Sequence, residues 1–286
     1  MPNVRDLRRR IRSVKSTQQI TRAMKMVAAA RLRRAQESVL NARPYANQML
    51  AVLSSVAGRA EQRSHPLLAE RPVQKVLLVF ITADRGLCGA FNSNLIRAAQ
   101  EYFRKAAASG IRVSMLAVGA KGRDFFRKQP IELVGEHVGI FGKIRFSDAQ
   151  EGARTIIDRY AKGEVDAVDF IYNEFKSVMA QRLIVERYLP IKPFPAPPGQ
   201  VLIDYIYEQP PAEIFNALLP RYVETEVYRA LLESQAAELS AKMTAMDAAT
   251  TNAGELIDTL TLQMNRIRQA AITKEIIEIV SGAAAL

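Results

Sequence analysis

Tryptophan is absent from the 286 residues, cysteine occurs once and histidine twice. The lone Cys88 cannot close an internal disulfide, which fits a reducing compartment. With His65 and His137 it supplies too few soft ligands for a structural zinc site. No stretch approaches the roughly eighteen uninterrupted apolar residues that a transmembrane helix needs. The N-terminus is charged from Arg5 onward and has no apolar signal core, so secretion is not expected. Acidic residues are scarce in one place: residues 1–34 hold eleven Lys and Arg against Asp6 alone, a net of +10. The whole chain carries +11, so the remainder is close to neutral. Such a block implies an acidic partner: nucleic acid, anionic lipid or an acidic protein surface.

What is present is globular composition, 49% apolar and 24% charged. Glycine and proline divide it. Val4 to Ala57 contains no glycine and one proline, Pro44; Ala212 to Ser281 contains only Gly254 and Pro220; residues 86–199 hold eleven of the fourteen glycines. Two long helices flanking a mixed middle follow, with boundaries at 1–60, 73–190 and 212–286 and a connector or foot over 191–211.

The first helix carries an apolar heptad grid: Val4, Leu7, Ile11, Val14, then Ala28, Leu32, Ala35, Val39, Ala42, Ala46, Met49, Leu53, Val56 and Ala60. The grid turns polar at Gln18, Thr21 and Lys25, where apolar residues stand aside at Ile20, Ala23, Met24 and Val27. Two readings fit: the helix meets a different partner there, or the core tolerates a stutter. The last helix repeats the pattern through Leu239, Met243, Met246, Thr250, Ala253, Ile257, Leu260, Met264, Ile267 and Ala271, with Thr250 the polar exception. At 1.5 Å per residue both helices are longer than a small domain is wide. They are expected to pair as an antiparallel coiled coil, the second projecting beyond the first, with local kinks at Pro44 and Pro220. Residues 276–286 (IIEIVSGAAAL) carry one charge, Glu278, and such an apolar tip calls for a partner sleeve.

In the middle, Val73–Thr82 reads as a buried strand, followed by a glycine turn and a helix to about Ala108. Ile111–Val118 reads as a strand, Gly119–Lys128 as a short helix, Ser147–Ala161 as a helix, and Ala167–Tyr172 and Ser177–Tyr188 as strands. This is a Rossmann-like α/β unit with a mostly parallel sheet. Pro190–Pro198, with five prolines in nine residues, reads as a stiff extended connector. The Asp84-Arg-Gly-Leu-Cys-Gly89 segment follows a strand, where phosphate loops sit, but lacks the endings of either nucleotide fingerprint. A tight strand–helix turn is the simpler reading. Neither His65, 23 residues before Cys88, nor His137 sits in a ligand-spaced cluster, and Glu275 and Glu278 at i, i+3 fit a solvated helix face. No active site, cofactor site or metal site is therefore expected. Tyr45 is the only aromatic residue before Phe80, so the basic helix has no stacking platform for bases, although phosphate-backbone binding stays open.

Three segments carry a family resemblance: Ile20-Thr-Arg-Ala-Met24-Lys-Met-Val27, Ile81-Thr-Ala-Asp84-Arg-Gly86-Leu-Cys88-Gly89, and Ile272-Thr273-Lys-Glu275-Ile-Ile-Glu278-Ile-Val-Ser-Gly282-Ala283. In this order and over the full length, the chain resembles the gamma subunits of bacterial F-type ATP synthases. The resemblance implies a non-catalytic rotor shaft: an antiparallel coiled coil plus a Rossmann-like domain. It also implies partners in an alpha/beta hexamer, an epsilon subunit and a membrane ring of c subunits, and a place on the cytoplasmic side of the bacterial plasma membrane. It does not imply nucleic acid. By the same resemblance Met24, Arg268, Gln269, Thr273 and Glu275 touch an acidic lever of the beta subunits, and Tyr205, Tyr207 and Glu208 form the foot on the ring. Plastid relatives insert a regulatory cysteine pair, which this chain lacks.

Overall fold

The computed structural model describes residues 3–57, 65–191 and 210–284. The chain divides into two compact units, one of Met1–Ala29 with Lys242–Leu286, the other of Ala30–Ala241. The division falls inside both terminal helices, α1 (Val4–Ala57) and α5 (Pro211–Ala284). Both continue through their single prolines, Pro44 and Pro220.

In the larger unit β1 (Lys75–Ile81), β2 (Arg112–Val118), β3 (Glu132–His137), β4 (Ala167–Phe175) and β5 (Gln181–Leu189) form one sheet in the order β3-β2-β1-β4-β5. The first four strands run parallel and β5 closes one edge antiparallel to β4. β1 sits at the centre and is buried from Val76 to Ile81, which explains its unbroken apolar run. Its side chains alternate between two cores. Leu77, Val79 and Ile81 face α1 (Met49, Leu53, Val56), α4 (Phe146–Ala161) and α5 (Phe215, Leu219, Val223). Leu78 and Phe80 face α2 (Phe91–Ala108) and α3 (Ala120–Phe126).

β3 was not legible as a strand, because ELVGEH is short and carries a glycine. Gly135 has a structural reason: a Cβ there would stand 2.8 Å from Leu116 Cδ1, beside the register shift at Met115/Leu116. β5 starts at Gln181, not Ser177. Ser177–Ala180 instead makes the tight turn, with N–H···O bonds running both ways between Ser177 and Ala180.

In the smaller unit α1 and α5 run antiparallel. Gln18 and Thr21 meet Thr250, and Lys25 meets Asp247, so later residues of one helix face earlier residues of the other. Throughout α1, each described grid position is buried or half-buried, the polar three included. The seam therefore does not shift, and the stutter reading fails. The α5 grid stays at least half-buried to Ile267, and Ala271 is exposed.

Candidate interaction surfaces

The smaller unit presents three surfaces. The first is the apolar stripe set aside from the seam. Because Gln18, Thr21 and Lys25 keep the inward positions, Ile20 is left 57% and Val27 54% exposed, with Met26 exposed and Met24 half-buried. Ile20, Met24 and Val27 lie at i, i+4, i+7, which is one helix face. Monomeric surfaces seldom leave such a face open without a partner.

The second is the basic block. Arg5, Arg8, Arg9, Arg10, Arg12, Lys15 and Arg22 are exposed. Among the described residues of this unit, only Lys25 of the block makes an ion pair, with Asp247 at 2.6 Å. In the larger unit Arg31, Arg33 and Arg34 are exposed too, and Arg33 lies 3.5 Å from Glu37. The block's field is thus largely uncompensated by the chain itself.

The third is the end of α5. Residues 268–283 are exposed, among them Ile272, Ile276, Ile277 and Val280, and Ile279 at 70%. Lys274 pairs with Glu278 at 3.5 Å along the helix. Arg268, Gln269, Thr273 and Glu275 all lie on this open stretch. Met24 does not join them: it adjoins Lys25, which meets Asp247, and the 21 helical residues from Asp247 to Arg268 span roughly 30 Å. The residues expected to touch the lever therefore lie at two separate places along the paired helices. Tyr205, Tyr207 and Glu208 lie outside the described residues.

The Asp84 segment in the larger unit is built as a turn. Asp84 Oδ1 accepts from the backbone N–H of Ala120 (3.1 Å) and Gly139 (2.9 Å), and Oδ2 from that of Phe141 (3.3 Å). One carboxylate thereby ties the loop after β1 to the start of α3 and the loop after β3. Asn92 Oδ1 accepts from Ala83 N–H at 3.0 Å, while its amide lies 3.2 Å from Cys88 Sγ. Cys88 is buried, and Leu87 stands exposed with φ of 64°.

Sequence reasoning missed a cleft of about 510 Å³ in the same unit, lined by Arg43, Tyr45, Phe146, Glu174, Tyr228 and Glu233. Phe146 and Tyr228 meet edge to face at 5.4 Å. Burial raises the Glu233 carboxyl above the usual range although it accepts from Phe175 N–H at 3.1 Å. Its lining comes from α1, the start of α4, the β4 end and α5, four elements far apart in sequence, so no local motif announces it. Among the described residues no three His, Cys, Asp or Glu side chains are placed to hold a metal, and no helix is long and apolar enough to cross a membrane.

Comparison with known proteins agrees with this architecture. A family model described as ATP synthase matches residues 3–286. The ATP synthase gamma chain of Solibacter usitatus is 53% identical over 290 residues, covering 100% of this chain and 99% of its own. A chain in the central stalk and c-ring structure of the Tetrahymena thermophila mitochondrial ATP synthase aligns with TM-score 0.61 and 29% identity, over 80% of this chain and 99% of that one. A chain of the Euglena gracilis mitochondrial ATP synthase aligns with TM-score 0.69 at 19% identity, over 99% and 94%, which supports the fold.

Proposed function

The chain belongs to the ATP synthase gamma chain family, the central-stalk rotor, and on that footing we propose how its surfaces do the work. It is a non-catalytic shaft. It couples ion flow through a membrane ring of c subunits to ATP synthesis or hydrolysis in an alpha/beta hexamer, on the cytoplasmic side of a bacterial plasma membrane. The observation that carries this reading is the division of labour on the paired helices: the seam is closed, while the apolar and basic faces outside it are open.

Each face suits a contact that is made and released repeatedly. Met24, with Ile20 and Val27, is the face that meets the acidic lever of one beta subunit after another. Arg268, Gln269, Thr273 and Glu275 meet the same partner higher on α5, and the apolar residues from Ile276 onward turn inside a sleeve formed by the hexamer. The basic residues of α1 attract the lever across a Debye length of about 8 Å without a pocket that would hold it. Tyr205, Tyr207 and Glu208 form the foot, where the epsilon subunit and the ring bind.

The test is charge reversal of Arg8, Arg9, Arg33 and Arg34 to glutamate, followed by purification of the complex and measurement of ion pumping per ATP hydrolysed. Exposed pairs contribute only ~0–1 kcal/mol each, so the loss must be collective and larger than for any single change. Normal assembly and pumping in the quadruple variant would refute the electrostatic part. Co-purification of the chain with nucleic acid, in place of nucleotide-binding subunits, would refute the whole reading.

A further inference from the structure

The polar break in the seam is a bonded cluster. Thr21 is buried although it is polar, and its hydroxyl lies 2.8 Å from that of Thr250. Each hydroxyl also reaches a carbonyl of its own helix, Thr21 to Gln18 O at 3.0 Å and Thr250 to Met246 O at 2.7 Å. Whichever proton crosses between the helices, the other hydroxyl still has an acceptor. Gln18 Nε2 donates to Thr250 O at 3.3 Å, and Lys25 Nζ to Asp247 Oδ1 at 2.6 Å. Gly254, the only glycine between Ala212 and Ser281, sits against Gln18: a Cβ there would stand 3.1 Å from Gln18 Nε2. Glycine is a poor residue for a helix interior, so its place here needs a reason, and room for the glutamine amide supplies one.

Hydrophobicity alone would arrange this turn differently. Ile20, Met24 and Val27 each immediately precede an inward position, Thr21, Lys25 and Ala28. Turning this stretch of α1 alone by about 100° would bury the three apolar residues and release the polar ones to water. The structure does the opposite. We propose that Gln18, Thr21 and Lys25 with Asp247, Thr250 and Gly254 form a clasp that fixes the rotational and axial register of the two helices, and so holds the Ile20–Met24–Val27 face outward. Any other register gives up the three cross-helix bonds together, as loss of a single polar layer does in other coiled coils, and is disfavoured. These are positioning residues. Their use in coupling rests on the rotor reading; the clasp itself does not.

Two measurements on the full chain test the clasp. In the first, Val27→Cys is labelled with a maleimide, using the chain with buried Cys88 alone as the blank. Thr21→Val with Thr250→Val removes both hydroxyls at nearly constant shape. The labelling rate is expected to fall several-fold as the apolar face turns inward, with the melting temperature unchanged or raised. An unchanged rate overturns the proposal. In the second, Gly254→Ala is melted alone and with Gln18→Ala. The clasp requires the alanine to lower the melting temperature when Gln18 is present and raise it when Gln18 is absent; a rise in both backgrounds overturns it. The Thr21→Val, Thr250→Val chain is then assembled into the complex, where pumping per ATP should drop while hydrolysis persists. Slower labelling with intact pumping would leave the clasp standing and refute the role given to this face in coupling.

Discussion

Removing the Asp84 carboxylate should cost more than its half-exposed position implies. The perturbation is Asp84→Ala. It orphans the N–H groups of Ala120, Gly139 and Phe141, which lie 3.1, 2.9 and 3.3 Å from the two carboxylate oxygens. Hydrogen bonds to a charged acceptor contribute roughly 1.5–3 kcal/mol when buried. The Gly139 contact is exposed and water can replace it, and the Phe141 contact is long, so both are discounted. A total near 3 kcal/mol follows. For a folded unit of about this size, each kcal/mol moves the melting temperature by roughly 2–4 °C, so a fall of about 6–12 °C is expected in thermal unfolding followed by circular dichroism. Asp84→Asn keeps one carbonyl oxygen, able to accept two of the three bonds, and should lose about half as much. If Asp84→Ala melts within about 2 °C of the parent, the carboxylate is not the tie between these loops. If Asn and Ala fall equally, charge and not geometry is what it supplies.

Gly122→Ala should destabilise by ~1–3 kcal/mol although alanine favours helices, because its Cβ would stand 2.6 Å from Phe80 Cε1 and 2.8 Å from Thr82 Oγ1; thermal unfolding reads the sign directly. Tyr222 is pushed up to about 12 by burial, then by Glu226, so its contribution is full below pH 10 and is lost as pH rises through 12. Tyr222→Phe should therefore flatten the alkaline limb of stability against pH, and an unchanged limb would reject that assignment. Deleting residues 282–286 should leave assembly and ion pumping per ATP nearly intact, whereas replacing Arg268, Gln269 and Thr273 together by alanine should reduce coupling. A silent triple variant beside an uncoupled deletion would move the working surface to the tip.

Much of this was legible because period and burial coincide. The heptad positions from Leu7 to Val56 face inward wherever they are described, and Val76–Ile81 is buried on both faces of the sheet, as a continuous apolar run requires. The edge strand Glu132–His137 escaped for the converse reason: half-exposed and broken by Gly135, it has neither an apolar run nor clean alternation. The clasp was half visible. Gln18, Thr21 and Lys25 stood out on one grid and Thr250 on the other, but a single helix says nothing about which residue faces which. The antiparallel alignment was needed to bring Thr21 to Thr250, and Gly254 had meaning only once Gln18 lay beside it. The cleft beside Arg43 and Glu233 depends on four elements meeting and has no sequence signature at all.

The open end of α5 follows from the same accounting of partners. A helix of about 16 residues in water is marginal by itself, because its first turn is unfavourable to form and each later residue adds little. Residues 268–283 avoid the first cost, since they extend a helix already formed and paired up to Ile267. Packing gives them nothing further: their isoleucines are exposed, and Gly282 weakens the final turn. Such a segment is stable enough to be presented as a helix, yet keeps its whole apolar surface for whatever surrounds it. A sleeve that buries that surface on all sides has no preferred rotation about the helix axis. The polar side chains Arg268, Gln269, Thr273 and Glu275 stand below it, where direction matters. On the rotor reading proposed above, the order along α5 runs from the paired seam, through a polar stretch that can sense angle, to an apolar end that is indifferent to it.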